Sequence, residues 1–453
     1  MKHDLTGDAA GAFHLPWVAE RGSGGATIEP ISRFCKDSRR YAILGAHTVR
    51  CLHLADLHIG WRPRDFGGKE EQRGRERDGL IKKAVDYALD RNAGIDLVLV
   101  AGDLFETHNP KPHLVEEVIR QLQRLCDAGV PVVTVPGNHD EITYTGSVYK
   151  MSAERWPGFL VTCPQPDLVA RLDIRGTPVF IYSLAYTGGV TRTSPPVRDF
   201  PHTGEAGTHI GVFHGSLGWS GGDRSLPLDG EALGGAGYDY VALGHFHGFS
   251  LAALGKSGSR ARDGGPHDGG PSSSAPLSGD PASARPKAVY CGMTEARGFS
   301  DPGTGFFVVA SVGPGGAKVD RVDAGVRKCL TATVDLTGLA GLPELESRLC
   351  GIATQAGLDA MLHVGLLGTA AFRFDAASLL ASVGLLVYHL ELSSDATFLA
   401  VEEIDQWATE PTIQGEFIRR MRRRLAEATD EHDRAILEKA LSHGLRALEG
   451  GRP

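Results

Sequence analysis

The stretch Cys51-Leu52-His53-Leu54-Ala55-Asp56-Leu57-His58 decides how this chain folds. An apolar run ends in an Asp and a His two residues apart. Alone, such an ending is an ordinary strand running into a polar loop. The same pattern returns downstream as Gly102-Asp103, Gly137-Asn138-His139-Asp140, His214-Gly215 and Gly244-His245-Phe246-His247. Each of these follows a short run rich in Leu or β-branched residues. Gly-Asn-His-Asp by itself is also a good Asx turn, and Gly-His-x-His could be two loop histidines. Their recurrence in one order, each at the end of a run that reads as a buried strand, points to a common site.

Between 49 and 250 the runs Arg50–Ala55, Leu97–Ala101, Val130–Val135, Val179–Ser183, His209–Phe213 and Tyr240–Leu243 read as strands. Gln72–Arg91 and His113–Ala128 carry apolar residues at helical spacing. Strand–helix–strand order with buried strands predicts an α/β fold, its largely parallel or mixed sheet covered by helices. Residues 160–250 hold more strand and less helix, which predicts a second sheet stacked on the first. Residues 255–287, rich in Gly, Ser and Pro, cannot bury a core and read as a flexible insertion joining neighbouring strands. Strands resume at Ala288–Cys291 and Gly305–Val312.

Beyond Val326 the pattern predicts a small α+β module: strands at Leu330–Leu336, Met361–Leu367 and Leu385–Leu392, a helix at Leu342–Gln355 and another before the last strand. A long helical tail, Thr412–Leu448, carries Arg419, Arg420, Arg422, Arg423 and Arg424. The expected organisation is a loosely ordered extension over 1–48, a catalytic domain over 49–325 and a C-terminal module over 326–453.

At 453 residues two or three domains are expected. No apolar run is long enough for a membrane span, and no signal-peptide pattern opens the chain, so a soluble, cytoplasmic protein without a membrane partner is expected. Seven scattered cysteines with no Cys-x-x-Cys pair fit a reducing compartment and packing roles, as for Cys51 and Cys291. The net charge of −8 argues against a uniformly basic nucleic-acid coat, though not against a local basic groove.

Side chains at the carboxyl ends of sheet strands converge on one crevice. Asp56, His58, Asp103, Asn138, His214, His245 and His247 are therefore candidate metal ligands, with His139 beside them. Carboxylate and neutral imidazole ligands suit Mn, Fe or Zn, and the oxygen share leans toward Mn or Fe. Seven ligands exceed the needs of one tetrahedral ion. A pair of divalent ions about 3.5–4 Å apart suits in-line attack at phosphorus and makes a water acidic enough to react near neutrality. His139 is left for proton work on the leaving oxygen or for stabilising the transition state. His53 faces into the sheet as a structural residue. His108 and His113 lie past the second strand end as weaker candidates for touching substrate.

On these motifs the chain resembles the calcineurin-like metallophosphoesterases, and more narrowly the SbcD/YhaO-type DNA repair exonucleases. The narrower match rests on His53-Leu54-Ala55-Asp56-Leu57-His58-Ile59-Gly60, Gly102-Asp103-Leu104-Phe105 and Pro136-Gly137-Asn138-His139-Asp140. Protein phosphatases of the broader group instead carry Gly-Asp-x-x-Asp-Arg-Gly and Gly-Asn-His-Glu. The resemblance is strong over about 49–250 and weaker over 288–312, where Tyr290-Cys291-Gly292-Met293 and Pro302-Gly303-Thr304-Gly305-Phe306 look like the family's product-side strand pair. Past 326 it is faint.

The resemblance implies a metallophosphoesterase-type β-sandwich flanked by helices, followed by the small module and a C-terminal helix. It implies one ion on Asp56, His58, Asp103 and His247, a second on Asp103, Asn138, His214 and His245, and a catalytic His139. Some relatives carry an assisting His three residues after the second Asp, where this chain has Glu106; that function is then absent or moved to His108. The implied activity is Mn-dependent cleavage of DNA, with DNA and an SMC-like coiled-coil ATPase subunit as partners and a homodimer also admitted. The competing readings are a small-molecule phosphodiesterase or phosphatase of the same fold, and a scaffold subunit whose ligand set goes unused.

Overall fold

Runs such as Leu97–Ala101, apolar at every position, can be satisfied only where both faces of a sheet are covered. The computed structural model builds two such sheets. It describes residues 48–448, except 65, 189–195, 218–224, 253, 255–287, 300, 302–304, 315, 371, 395 and 399–400. The expected extension over 1–48, all but Thr48, and the insertion over 255–287 therefore lie outside the described residues, as do Pro302, Gly303 and Thr304. The chain divides into two units. The first comprises residues up to Arg62, Glu71–Thr294 and Phe306–Ala324; the second comprises Pro63–Glu70, Glu295–Gly305 and the chain from Gly325 onward.

In the first unit the strands are β1 (Val49–Leu54), β2 (Leu97–Ala101), β3 (Val132–Val135), β4 (Phe159–Leu160), β5 (Asp167–Ile174), β6 (Thr177–Ser183) and β7 (Thr208–His214). They continue as β8 (Ser216–Leu217), β9 (Pro227–Leu228), β10 (Tyr240–Gly244), β11 (Ser250–Ala252), β12 (Ala288–Tyr290), β13 (Phe306–Gly313) and β14 (Gly316–Asp323). One six-stranded sheet has the order β14-β13-β1-β2-β3-β4, the other β11-β12-β10-β7-β6-β5. In each, four neighbouring strands are parallel: β1 to β4 in the first and β12, β10, β7 and β6 in the second. The second sheet expected after residue 160 is thus present. β11 and β12, the strands on either side of the 255–287 segment, pair antiparallel.

One expectation needs correcting. The segments at Tyr290 and Phe306 are not partners: β12 pairs with β10 and β11, whereas β13 pairs with β1 and β14. Both are short apolar runs, and nothing in such a run says which sheet it joins.

Helices cover the first sheet. The Gln72–Arg91 pattern becomes α1 (Glu70–Asp78) and α2 (Leu80–Leu89). The interruption at Gly79 is slight, because Gly79 N–H still bonds Arg75 O and Lys83 N–H still bonds Gly79 O. In α3 (Pro112–Asp127), proline in the first turn gives up no helix bond, and Val115, Val118, Leu122 and Leu125 form the buried stripe. Truncating Leu122 to Ala would cost about 2–5 kcal/mol by the usual core rule. Two short helices, α4 (Val148–Met151) and α5 (Gly230–Gly235), complete the unit.

A buried polar contact joins the two sheets. His53 of β1 and Tyr240 of β10 are both fully buried, with His53 Nδ1 2.9 Å from the Tyr240 hydroxyl oxygen. Burial pushes the His53 imidazole down to about 3. The folded state therefore keeps it neutral, while the unfolded chain protonates it below about 6.5. Its contribution to stability is complete above pH 6.5 and is lost as pH falls toward 3, at about 1.4 kcal/mol per pH unit. Urea unfolding of wild type and His53→Gln between pH 7 and 5, with EDTA present throughout, should give a shallower slope in the variant, the difference approaching about one proton at the acidic end. Equal slopes would refute the assignment. The six described cysteines are all free, and burial raises the thiol pKa of Cys51 and Cys291, as expected of packing residues.

In the second unit, β15 (Cys329–Asp335), β16 (Met361–Leu367) and β18 (His389–Ser394) form a parallel sheet. Helices α6 (Leu342–Ala356) and α7 (Ala376–Val383) pack with it around Leu345, Leu349, Val364 and Leu379. A two-residue parallel pair, β17 (Thr369–Ala370) with β19 (Thr397–Phe398), forms a separate sheet. The strand expected at Leu385–Leu392 starts later, because Gly384–Leu386 continues α7 as a 3-10 turn.

The tail is not one long helix. It contains α8 (Val401–Thr409), α9 (Ile413–Glu427) and α10 (Glu431–Leu448), joined around Ile404, Ile418, Met421, Leu441 and Leu445. The break falls at Ala428, whose backbone is extended. Gly444 lets α10 approach α9 closely; a Cβ there would come within 2.1 Å of the Phe417 ring. Three of the tail's arginines are held internally: Arg419 and Arg420 on Glu416, and Arg422 on Asp405. This part of the basic cluster is largely neutralised.

Candidate metal centre

The five strand ends meet. Beyond β1 and β2 the two chains stay paired after the regular strands stop: Asp56 N–H bonds Gly102 O, His58 N–H bonds Asp103 O, and Ile59 N–H bonds Leu104 O. Within this continuation Asp56, His58 and Asp103 adopt φ of 53°, 48° and 50°, and His245 at the far sheet adopts 105°. Four of the five described non-glycine residues with positive φ are therefore candidate ligands. Such conformations cost of order 1–3 kcal/mol each and survive only where the surroundings enforce them. Part of that enforcement comes from α1. The buried Arg77 guanidinium donates to Leu57 O at 3.0 Å, between the two ligand positions.

From the second sheet, His214 is the last residue of β7. Its Nδ1–H donates to Ala101 O at 2.9 Å, which turns Nε2 toward Asn138 Oδ1 at 3.0 Å and Asp103 Oδ2 at 3.4 Å. Burial works against charge on His214, but Asp103, Asp56 and the Ala101 carbonyl together outweigh it and lift the imidazole to about 9. Burial likewise works against charge on Asp103, and His214, His58 and His139 together hold it below the usual carboxylate range. A cation arriving at Nε2 would take the place of the His214 proton. His245 follows β10; its Nδ1 lies 3.1 Å from Asn138 Oδ1, and its backbone N–H donates to Asp56 Oδ2 at 3.1 Å. His139 N–H donates to Asp103 Oδ1 at 2.9 Å.

Two glycines are required by this closeness. At Gly102, with φ of 93°, a Cβ would lie 2.1 Å from His214 Nδ1; at Gly137 it would lie 2.1 Å from Asp103 Oδ1.

All eight candidate residues are thus brought together. Ligand atoms of Asp56, His58 and His247 lie within 4.8 Å of one another, as do those of Asp56, Asp103 and His214, and those of His58, Glu106 and His139. The His58 ring sits edge-on to His139 at 4.6 Å and to His247 at 5.4 Å; His214 and His245 are 5.4 Å apart.

These residues fit divalent cations. Asp56 Oδ1 and His58 Nε2 are buried and have no hydrogen-bond partner among the described residues. A buried polar atom left so costs about 1–3 kcal/mol unless something else satisfies it. Carboxylate, amide and imidazole donors around that point form a suitable set.

Three residues to which the sequence reading gave no role in the site also shape it. Asp140 is a buried clamp: its carboxylate accepts from Gly137 N–H at 2.7 Å, Phe105 N–H at 3.1 Å and Tyr149 OH at 2.7 Å. Burial, then Asp103, pushes it up to about 6. Glu106 lies against His58, and Arg77 braces the first loop. Asp140 stood in plain view within Gly-Asn-His-Asp, but the motif does not show its contacts to Phe105, 35 residues away, and to Tyr149. His108 stacks on Tyr144 at 4.1 Å, and His113 is exposed in the first turn of α3. Neither belongs to the groups of converging ligand atoms just described.

Residues 49–249 match the sequence model of the calcineurin-like phosphoesterase family. The chain is 26% identical over 213 residues to the DNA double-strand break repair protein Mre11 of Methanopyrus kandleri, covering 44% of each. It is 33% identical over 215 residues to the Mre11 protein of Aeropyrum pernix, covering 44% of this chain and 49% of that protein. It is 28% identical over 206 residues to the uncharacterized metallophosphoesterase YhaO of Bacillus subtilis, covering 43% and 48%. The chain spans about half the length of the curated relatives it matches. Among the described residues, no helix is long and apolar enough to cross a membrane.

Proposed function

From a chain whose residues 49–249 form a calcineurin-like phosphoesterase domain, we propose a metal-dependent DNA nuclease, exonucleolytic and acting in DNA repair. The observation that carries this reading is the convergence of Asp56, His58, Asp103, His214 and His247 around buried, unpartnered ligand atoms. Similarity to proteins named for double-strand break repair supports DNA as the phosphodiester.

In this reading Asp56, His58, Asp103 and His247 hold one ion and Asp103, Asn138, His214 and His245 the other, with Mn2+ the preferred metal. The ions supply Lewis acidity, an acidified water and charge neutralisation at phosphorus. The protein supplies placement. Asp103 spans both sets of ligands, with Oδ2 toward His214 and His58 and Oδ1 fixed by His139 N–H. His139 Nδ1 lies 3.1 Å from Glu106 O, an oxygen that can only accept, so Nδ1 carries hydrogen. The protonated ring then holds its second proton at Nε2, where it can pass to the leaving oxygen. The C-terminal unit is assigned to capping DNA and docking a coiled-coil ATPase.

The test is purified protein with Mn2+ on labelled duplex DNA, single-stranded DNA and a chromogenic phosphodiester. DNA degradation from ends is the expected result. Hydrolysis of the chromogenic compound with both DNAs intact would sink the nuclease reading in favour of a small-molecule phosphodiesterase.

A further inference from the structure

Glu106 is the third residue after Asp103 and touches two of the site's histidines at once. Its carboxylate Oε2 lies 2.9 Å from His58 Nδ1, and its backbone oxygen lies 3.1 Å from His139 Nδ1. Glu106 is itself anchored, its N–H donating to Ile59 O. The carboxylate is about a quarter exposed, at 26%, so it keeps part of its hydration, whereas the His58 side chain is fully buried.

We infer that Glu106 is the positioning residue of the metal centre: its carboxylate fixes the tautomer and aim of His58, and its backbone carbonyl does the same for His139. The inference rests on the metal-dependent reading above and adds a role that this reading does not require.

The chemistry is that of an acceptor-only group beside an imidazole. An ionised carboxylate has no hydrogen to give, so His58 Nδ1 must carry one. In the neutral ring, Nε2 is then the nitrogen with the free lone pair. That atom is buried and lies 3.9 Å from Asp103 Oδ2, facing the other ligands. At Nδ1 the 2.9 Å approach of Glu106 Oε2 is a close ion-pair contact rather than an in-line hydrogen bond, so neither ring nitrogen of His58 has a hydrogen-bond partner among the described residues. Without the carboxylate, the ring could turn about its terminal torsion and offer either nitrogen. A carboxylate behind a ligating imidazole also makes it a stronger donor, and loss of such a partner costs 10- to 100-fold in metal affinity as an order of magnitude.

Calorimetric titration of EDTA-stripped, re-purified protein with Mn2+ tests this without any turnover. Glu106→Ala should weaken uptake roughly 10- to 100-fold at the step that His58→Ala also weakens. Glu106→Gln should fall between wild type and Ala, because its amide oxygen can still accept from Nδ1–H. The double variant His58→Ala/Glu106→Ala should bind no worse than His58→Ala alone, since Glu106 acts through His58. If the Ala variant does not fold, judged by its unfolding transition without metal, the Gln variant carries the comparison. Unchanged affinity in the variants, a Gln variant as weak as Ala, or additive losses in the double variant would each overturn the inference. Additive losses would make Glu106 a ligand in its own right. Those outcomes leave the metal-dependent reading standing. A wild-type protein that takes up no ion would overturn both.

Discussion

Replacing Asp103 by Asn is expected to lower metal-dependent hydrolysis by about a thousandfold. Asp103 is buried, and its Oδ2 faces His214 Nε2 at 3.4 Å and His58 Nε2 at 3.9 Å, one imidazole from each sheet. The change keeps the shape and the acceptor for His139 N–H but removes the negative charge. A cation pair loses its shared anionic ligand, and several kcal/mol of transition-state charge stabilisation corresponds to about three powers of ten in rate. The same charge raises the His214 pKa. In the variant that imidazole should lose its proton nearer neutrality, visible as a shifted His214 resonance in a pH titration of the metal-free protein. Activity within tenfold of wild type at saturating Mn2+ would refute the bridging role.

His139→Ala should be nearly as damaging but in a different way. A positioned acid or base contributes about 10²–10⁴-fold. The loss should fall on kcat, with Mn2+ uptake close to wild type, because the contact to Asp103 comes from the backbone N–H of residue 139 and survives the substitution. A substrate with a much better leaving group should recover most of the rate, since it needs no proton. Loss of metal uptake in the variant, or equal damage with both substrates, would move His139 from proton transfer to the ligand set.

What could be read from the sequence is what local pattern encodes. A strand that ends in a ligand is visible within eight residues, and five of them in order picked out Asp56, Asp103, Asn138, His214 and His245, which the fold brings together, without knowledge of pairing. The helical stripe of α3 was equally plain. What could not be read depends on partners far apart in the chain. Arg77 reaches back to Leu57 O, and Asp140 fastens Phe105 from 35 residues away. Glu106 looked like an absence when compared with relatives bearing histidine; only the fold places its carboxylate on His58. The split of β12 and β13 between two sheets has the same origin. The tail went astray for a different reason: neither glycine nor proline marks the break at Ala428, so α9 and α10 read as one helix.

The central claim is that these seven ligands hold two ions, and anomalous scattering from crystals soaked in Mn2+ tests it most directly. Two peaks about 3.5–4 Å apart are predicted, one bounded by Asp56, His58, Asp103 and His247, the other by Asp103, Asn138, His214 and His245. A single peak, or a pair that Asp103 does not bridge, would contradict it.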